Sequence, residues 1–259
     1  MDQTTAPQPE QGYGYAGLFT DEHRAKVRQA YPVFYADEPY TDVVITAGGT
    51  QEPIDNVRYV GNFSSGRFGH ALAHEYASYG HNVTLVAPNS VIERFGKHES
   101  ITHIPFSSAE SLRAAMLGIK SADLILHAAA VADYTPVKVD GKISSDQDHL
   151  VVDMVRTPKI LPLLRGHYGD KATIVGFKLL NGVSVEHLTD VAANQIAQNN
   201  TNYSVANLLE HINGAKQERE VRLVGADGSI QTFDGTTASV ASGLYKAIRW
   251  TSRRRAFYA

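Results

Sequence analysis

A mostly parallel α/β sheet with helices on both faces is the architecture the sequence predicts, and three observations carry it. Short apolar runs recur at Val43–Ile45, Val83–Ala87, Asp123–His127, Thr173–Phe177 and Tyr203–Ala206. Segments with helical periodicity or helix-start signals stand between them, the pattern of crossover connections between parallel strands. The chain of 259 residues, 43% hydrophobic and 20% charged, is long enough to bury such a core in one large domain.

The elements follow in order. Met1 to about Tyr15 is rich in Gln, Pro, Gly and Thr, too poor in aliphatic side chains to offset its ordering entropy, and reads as a disordered tail. Asp21–Tyr35 carries alternating charge with Val27, Tyr31 and Val33 and reads as a short helix and linker. Residues 1–42 are therefore an N-terminal appendage, and residues 43–259 a single domain. Val43-Val44-Ile45 is a strand buried on both faces that runs into Gly48-Gly49. Ser64-Ser65-Gly66 precedes a helix whose Phe68, Leu72 and Tyr76 share one face, with Gly80 as its C-terminal cap. With the strand Val83–Ala87 this makes a βαβ unit, the start of a Rossmann-like sheet.

Downstream, Ser107 and Glu110 spell a capping box for a helix reaching Gly118, and Thr157-Pro158 opens another with Pro in its first turn. Ser184 caps a helix through about Gln198. Two segments break the rhythm. Val137–Val155 reads as an extended arm rather than a crossover helix. Glu218–Phe233, with Ala226-Asp227-Gly228-Ser229 between two strand-like runs, reads as a C-terminal β-hairpin before a last helix, Thr237–Arg253.

Composition excludes several function classes. Without cysteine there is no disulfide framework, no thiol nucleophile and no cysteine-ligated metal. A formal charge of −3 gives no general attraction to nucleic acid or an anionic membrane, so an anion must be held by a local site. Arg253-Arg-Arg255 reads as a solvated tail, since no aromatic interleaving accompanies it. No apolar run reaches the length of a membrane span and no signal peptide is spelled, so the cytoplasm is the expected address. His70 and His74 are four apart, but their helix buries Phe68, Leu72 and Tyr76, which makes them surface histidines rather than a metal site.

The densest cluster of unusual residues, Thr46 to Gly69, lies between the first strand and the first helix. Ligands of open α/β sheets sit beyond the C-terminal strand ends, and a helix start built of small residues offers backbone N–H groups to an anion. Gly48, Ser64, Gly66 and Gly69 fit a phosphate cradle; on spacing alone they equally fit ordinary turns and caps. Neither the Gly-x-Gly-x-x-Gly dinucleotide fingerprint nor a Gly-Lys-Ser/Thr loop is present at this site.

Ile45-Thr-Ala-Gly-Gly-Thr50 with Val57-Arg-Tyr59, and Asn62-Phe-Ser-Ser-Gly-Arg-Phe-Gly69, resemble the signature of phosphopantothenoylcysteine synthetases. Ala128-Ala-Ala-Val-Ala-Asp-Tyr134, Lys142-Ile-Ser-Ser145, Gly176-Phe-Lys178 and Val205-Ala-Asn207 resemble the family's later motifs in the same order. Nothing resembles the flavin-dependent decarboxylase domain that often precedes this one, so a stand-alone ligase is expected. The family joins 4'-phosphopantothenate to cysteine in coenzyme A biosynthesis. The carboxylate attacks the α-phosphate of a nucleoside triphosphate, and the amine of cysteine then displaces the nucleotide.

The resemblance implies a role for each matched residue. Lys142, which spacing alone makes an exposed loop lysine beside Gly141, neutralises charge at the α-phosphate together with Mg²⁺ carried by the nucleotide phosphates. Asn62 stabilises the carbonyl oxygen as it becomes tetrahedral. The backbone of Ala129 and Ala130 and the Asp133 carboxylate hold phosphopantothenate, and Arg58 reaches its phosphate across a homodimer as a bidentate guanidinium. Phe177 and Asn207 lie near the base and ribose. The Val137–Val155 arm supplies Lys142 to a shared active site. CTP is the expected nucleotide from the spelling of the Thr-Ala-Gly-Gly-Thr and Val-Ala-Asp-Tyr motifs; Lys142-Ile-Ser-Ser, where bacterial members have Lys-Ile-Lys-Lys, keeps ATP as the alternative. Two rival readings remain at this point. An NAD(P)-dependent oxidoreductase lacks its glycine fingerprint and a Tyr-x-x-x-Lys pair; a non-catalytic nucleotide-binding module gives no reason for Asn62, Asp133 and Lys142 together.

Overall fold

The computed structural model describes residues 41–146 and 148–257. The expected tail and the helix over Asp21–Tyr35 lie outside the described residues, as do the side chains of Arg253, Arg254 and Arg255. The first half of the domain runs β1 (Asp42–Thr46), β2 (Gln51–Pro53), β3 (Tyr59–Gly61), α1 (Arg67–Ser78), β4 (Asn82–Val86), α2 (Asn89–Phe95), β5 (Ile101–Ile104), α3 (Ala109–Gly118), β6 (Leu124–His127) and β7 (Tyr134–Pro136). The second half runs β8 (Met154–Arg156), α4 (Leu161–Tyr168), β9 (Thr173–Leu180), α5 (Val185–Asn199), β10 (Tyr203–Leu208), β11 (Ile212–Asn213), β12 (Glu218–Gly225), β13 (Ile230–Thr236) and α6 (Thr237–Phe257).

Six parallel strands stand in the order β5-β4-β1-β6-β9-β10, and β12 joins β10 antiparallel before pairing with β13. Counted among parallel strands only, this is the doubly wound order, in which the chain reverses direction across the sheet between β1 and β6. Alternate residues of β1 feed opposite cores, as the two-residue period of a strand requires. Val43 and Ile45 pack with Leu72 and Tyr76 of α1 and with Leu244 and Tyr245 of α6. Val44 packs with Leu112 and Met116 of α3 and Leu164 of α4. Leu188, Ala192 and Ile196 of α5 cover Ala206 and Val224 on that second side. No helix among the described residues is long and apolar enough to cross a membrane.

Several boundaries differ from expectation for local reasons. The cap of α3 is Ser108, whose Oγ accepts the Ser111 N–H at 3.2 Å while Ser111 Oγ accepts the Ser108 N–H at 2.9 Å. The box is one residue later than the Ser107/Glu110 spelling, with a serine in place of the glutamate. Thr157-Pro158 does not open a helix: Thr157 donates its N–H to the Asp133 carbonyl at 2.9 Å, and α4 begins at Leu161 with Pro162 in the first turn. Two elements, α2 and β5, were not expected, and neither was the β2–β3 hairpin inside the glycine-rich cluster. Ser184 caps α5 as expected, accepting the His187 N–H at 3.2 Å. The arm leaves the body through a short antiparallel ribbon, β7 against β8, and is irregular between its two stems.

Candidate active site

The loops after β1 and β6 meet where the strand order reverses. Ala130 donates its N–H to the Gly48 carbonyl at 2.8 Å, and Thr50 donates back to the Ala130 carbonyl at 3.1 Å. Two threonines of the first loop fix the second: Thr46 Oγ1 accepts the Ala129 N–H at 2.9 Å and Thr50 Oγ1 accepts the Ala132 N–H at 3.0 Å. Thr46 Oγ1 also lies 3.1 Å from Nδ1 of His127. Burial holds the His127 imidazole down at about 4, so it is neutral at physiological pH and its Nδ1 is free to accept the threonine hydroxyl. Sequence reading quoted Thr46 and Thr50 only as letters of a motif; their work as braces becomes visible once β1 and β6 are neighbours.

Helix α1 starts against the same loop. Its N-cap, Gly66, has φ 74° and offers no side chain to the first-turn N–H groups, and no acidic residue sits in that turn. Gly69 is where the helix touches the strand end: a Cβ there would lie 2.6 Å from Ala47 Cβ and 3.0 Å from the Thr46 carbonyl oxygen. The Arg67 N–H donates to Ser65 Oγ at 3.4 Å, and the N-cap residue itself caps none of the first-turn N–H groups, so the helix start has N–H donors to present beside exposed Ser64. Asn62 stands next to it, exposed, with Nδ2 donating to the Val131 carbonyl at 3.3 Å, which ties it to the Ala128–Asp133 loop.

Asp133 forms an ion pair with Lys159, both side chains about two-thirds exposed at 67% and 65%. Lys159 escaped the sequence reading because 26 residues separate the pair, and only the β7–β8 ribbon brings them together. Phe177 and Asn207 sit at the same end of the sheet on adjacent strands, Phe177 beside Val205 and Asn207 beside Leu179. The Phe177 ring meets that of Phe68 edge to face at 5.9 Å, and the Arg219 guanidinium lies over the other ring partner, Phe68, at 4.0 Å. Arg219 Nε is buried without a hydrogen-bond partner, and burial followed by repulsion from Arg67 lowers its pKa to about 10. That arginine was also unforeseen, since the hairpin strand β12 carries no recognisable binding motif.

Arg58 and Lys142 are placed differently. Arg58 lies at the tip of the β2–β3 hairpin, four residues before Asn62, roughly 13 Å at strand rise. Its Nε and Nη2 donate to Asp55 Oδ2 at 3.0 and 2.6 Å, and Nη2 also donates to the Ile143 carbonyl at 2.7 Å. One edge of the fork expected to meet a phosphate is thus closed on Asp55. The Arg58 guanidinium in turn holds the Asp55 carboxyl far below the usual carboxylate range, helped by backbone N–H groups of Val57, Ile143 and Arg58. Lys142, adjacent to Ile143, is exposed. The structure thus brings together Gly48, Asn62, Ser64, Gly66, Gly69, Ala129, Ala130 and Asp133 around one crevice, with Phe177 and Asn207 at the same strand ends. Arg58 and Lys142 form a second group on the hairpin and arm.

The histidines are less exposed than expected. His70 and His74 are half-buried, their Nε2 atoms 3.2 Å apart, and burial with the neighbouring His70 and His98 holds His74 down at about 4. Among the described residues no cluster of three or more His, Asp or Glu could hold a metal ion.

Residues 40–250 match the family described as DNA/pantothenate metabolism flavoprotein C-terminal domain. The coenzyme A biosynthesis bifunctional protein CoaBC of Thermococcus kodakarensis is 36% identical over 207 residues, 80% of this chain and 50% of that protein. The protein of the same name from Bacillus subtilis is 33% identical over 237 residues, 87% of this chain and 54% of the relative. The chain thus spans about half the length of these relatives. The crystal structure of the DNA/pantothenate metabolism flavoprotein from Streptococcus pneumoniae superposes with a TM-score of 0.74 at 26% identity, covering 82% of this chain and 99% of that one.

Proposed function

The chain belongs to the family of the DNA/pantothenate metabolism flavoprotein C-terminal domain, and on that premise we propose that it ligates 4'-phosphopantothenate to cysteine, with CTP as the expected nucleotide and ATP as the alternative. The observation that carries the reading is the crevice between β1 and β6. A helix start without a side-chain N-cap, a neutral amide donor and an Ala129–Ala130 pair braced by Thr46, Gly48 and Thr50 meet there. An oxidoreductase has no use for Asn62 held against the Ala128–Asp133 loop.

The chemistry proceeds in two steps. The substrate carboxylate attacks the α-phosphate and expels pyrophosphate; the cysteine amine then attacks the acyl carbon and expels the nucleoside monophosphate. The first step brings two anions together, and the Lys142 ammonium offsets that repulsion where charge accumulates. In the second, Asn62 Nδ2 donates to the developing oxyanion, and as a neutral amide it does not compete as a base. Mg²⁺ enters with the triphosphate, whose phosphate oxygens are its usual ligands.

The active protein is a homodimer. Val57 and Tyr59 of the hairpin and Val137, Val139, Val151 and Val155 of the arm are all exposed, 48% to 85%, and β2 lies against β7, which gives hairpin and ribbon a shared apolar surface for a second copy. In that dimer the hairpin and the arm of one copy complete the crevice of the other with Arg58 and Lys142. Incubation with 4'-phosphopantothenate, cysteine and either nucleotide tests the reading: amide product supports it, and hydride transfer from NAD(P)H or binding without turnover overturns it.

A further inference from the structure

Asp55 is the one carboxylate on which the hairpin and the arm both converge. It is 2% exposed, in a loop whose neighbours Asn56 and Val57 are exposed. Its two oxygens divide the work. Oδ1 accepts the Val57 and Arg58 N–H groups at 2.8 and 2.7 Å and closes the hairpin turn. Oδ2 accepts Arg58 Nε and Nη2 and, from the arm, the Ile143 N–H at 3.1 Å.

We propose that Asp55 is a positioning residue for Lys142, latching the arm to the hairpin tip so that Lys142 and Arg58 are presented as one unit. The proposal rests on reading Lys142 as the cation of the first ligation step. Both chain neighbours of Lys142 are held: the Gly141 carbonyl accepts the Asn56 N–H at 2.9 Å, and Ile143 is gripped at its N–H by Asp55 and at its carbonyl by Arg58. Lys142 itself is left exposed between them. The described residues of the arm between 137 and 153 form no regular secondary structure of their own, so a lysine on it would sample many positions without these tethers. A cation acts on a transition state in proportion to how well it is preorganised, and fixing both flanking peptides supplies that order.

The test is Asp55→Asn in the full chain. Asparagine keeps an oxygen at the Oδ1 position for the turn but sets an NH₂ group against the three donors that meet Oδ2, so it opens the latch selectively. Hydrogen exchange of the Ile143 amide should quicken by about tenfold or more, and pyrophosphate release in the absence of cysteine should fall by about tenfold or more. With 4'-phosphopantothenate saturating, so that a displaced Arg58 does not limit binding, the same change in a Lys142→Gln background should add nothing, because a residue acting on the first step through Lys142 has no second route to it. If Asp55→Asn does not fold by circular dichroism, Ile143→Pro removes the donor from the arm side, and it is read by pyrophosphate release and by exchange of the Asn56 amide, which the Gly141 carbonyl holds at 2.9 Å in the wild type. Unchanged exchange at Ile143 overturns the proposal, as does faster exchange with wild-type pyrophosphate release, or an equal further loss on Lys142→Gln. If wild-type protein ligates nothing, the reading of function falls, and the exchange measurement still decides whether the latch exists.

Discussion

The N–H of Ala130 donates to the carbonyl of Gly48 at 2.8 Å, which makes the loop after β1 and the loop after β6 one continuous backbone surface. That surface depends on Gly48, whose φ is 85° and where a Cβ would lie 2.8 Å from Pro88 Cδ. Gly48→Ala should therefore destabilise the fold by about 1–3 kcal/mol and lower kcat/KM further than the lost folded fraction explains. Urea unfolding beside steady-state kinetics separates the two; wild-type activity per folded molecule would remove the crevice from the account.

Lys142 and Asn62 should fail in different half-reactions. Lys142→Gln should slow formation of the acyl-nucleotide by about 10²-fold or more, the cost of losing a preorganised electrostatic group. Asn62→Asp should form the acyl-nucleotide and let it accumulate, because a carboxylate opposes the second-step oxyanion. Rapid quench with mass spectrometry reads both, and accumulation in Lys142→Gln would reverse the roles. Since the two residues sit in separate groups of one chain, mixing the two inactive variants should restore activity through hybrid dimers with one intact site. No recovery on mixing would confine each site to one chain.

On the proposed function, the guanidinium of Arg219, stacked over Phe68 with a buried and unpartnered Nε, is expected to meet the nucleotide. Arg219→Ala should raise KM for the nucleoside triphosphate about tenfold, the scale of one charge-assisted hydrogen bond of about 1.5 kcal/mol, and leave KM for cysteine unchanged. Equal changes in both KM values would point to general damage instead.

Acid should weaken the fold through buried histidines. The folded pKa of His127 is about 4 against an ordinary 6.5, so below pH 6.5 the unfolded chain takes up a proton that the folded chain refuses. Its contribution is intact above that range and is lost as pH falls toward 4, by about 1 kcal/mol per pH unit and about 3 kcal/mol in all. Urea denaturation of wild type and His127→Gln between pH 7.5 and 4.5 checks the sign: the variant should lose stability less steeply. Parallel curves would mean that His127 is protonated in the fold.

The framework was legible because β1, β4, β6, β9 and β10 are apolar runs buried on both faces, a signal that needs no partner to be seen. The capping of α3 was legible only to within a residue, because Ser107 and Ser108 stand side by side and both donate their N–H to Ser111 Oγ. The Thr157-Pro158 spelling misled because the Thr157 N–H that a helix start would leave free is taken by the carbonyl of Asp133, just before β7. Within the site, Asn62, the glycines and Ala129–Ala130 were readable as a motif. Asp55, Lys159 and Arg219 were not, since each acts through a contact with a distant or unmarked residue. The Nε/Nη2 edge of the Arg58 fork illustrates the limit: sequence names a guanidinium but not the carboxylate that already occupies it.

The central claim is ligation through an acyl-nucleotide, and isotope transfer tests it most directly. With both carboxylate oxygens of 4'-phosphopantothenate carrying ¹⁸O, the attacking oxygen becomes the bridge to the α-phosphate and leaves with the nucleotide when the cysteine amine displaces it. Mass spectrometry should find one ¹⁸O in the nucleoside monophosphate, one in the amide of 4'-phosphopantothenoylcysteine, and none in pyrophosphate. Label in inorganic phosphate together with a nucleoside diphosphate, or no amide product with either CTP or ATP, would contradict the account.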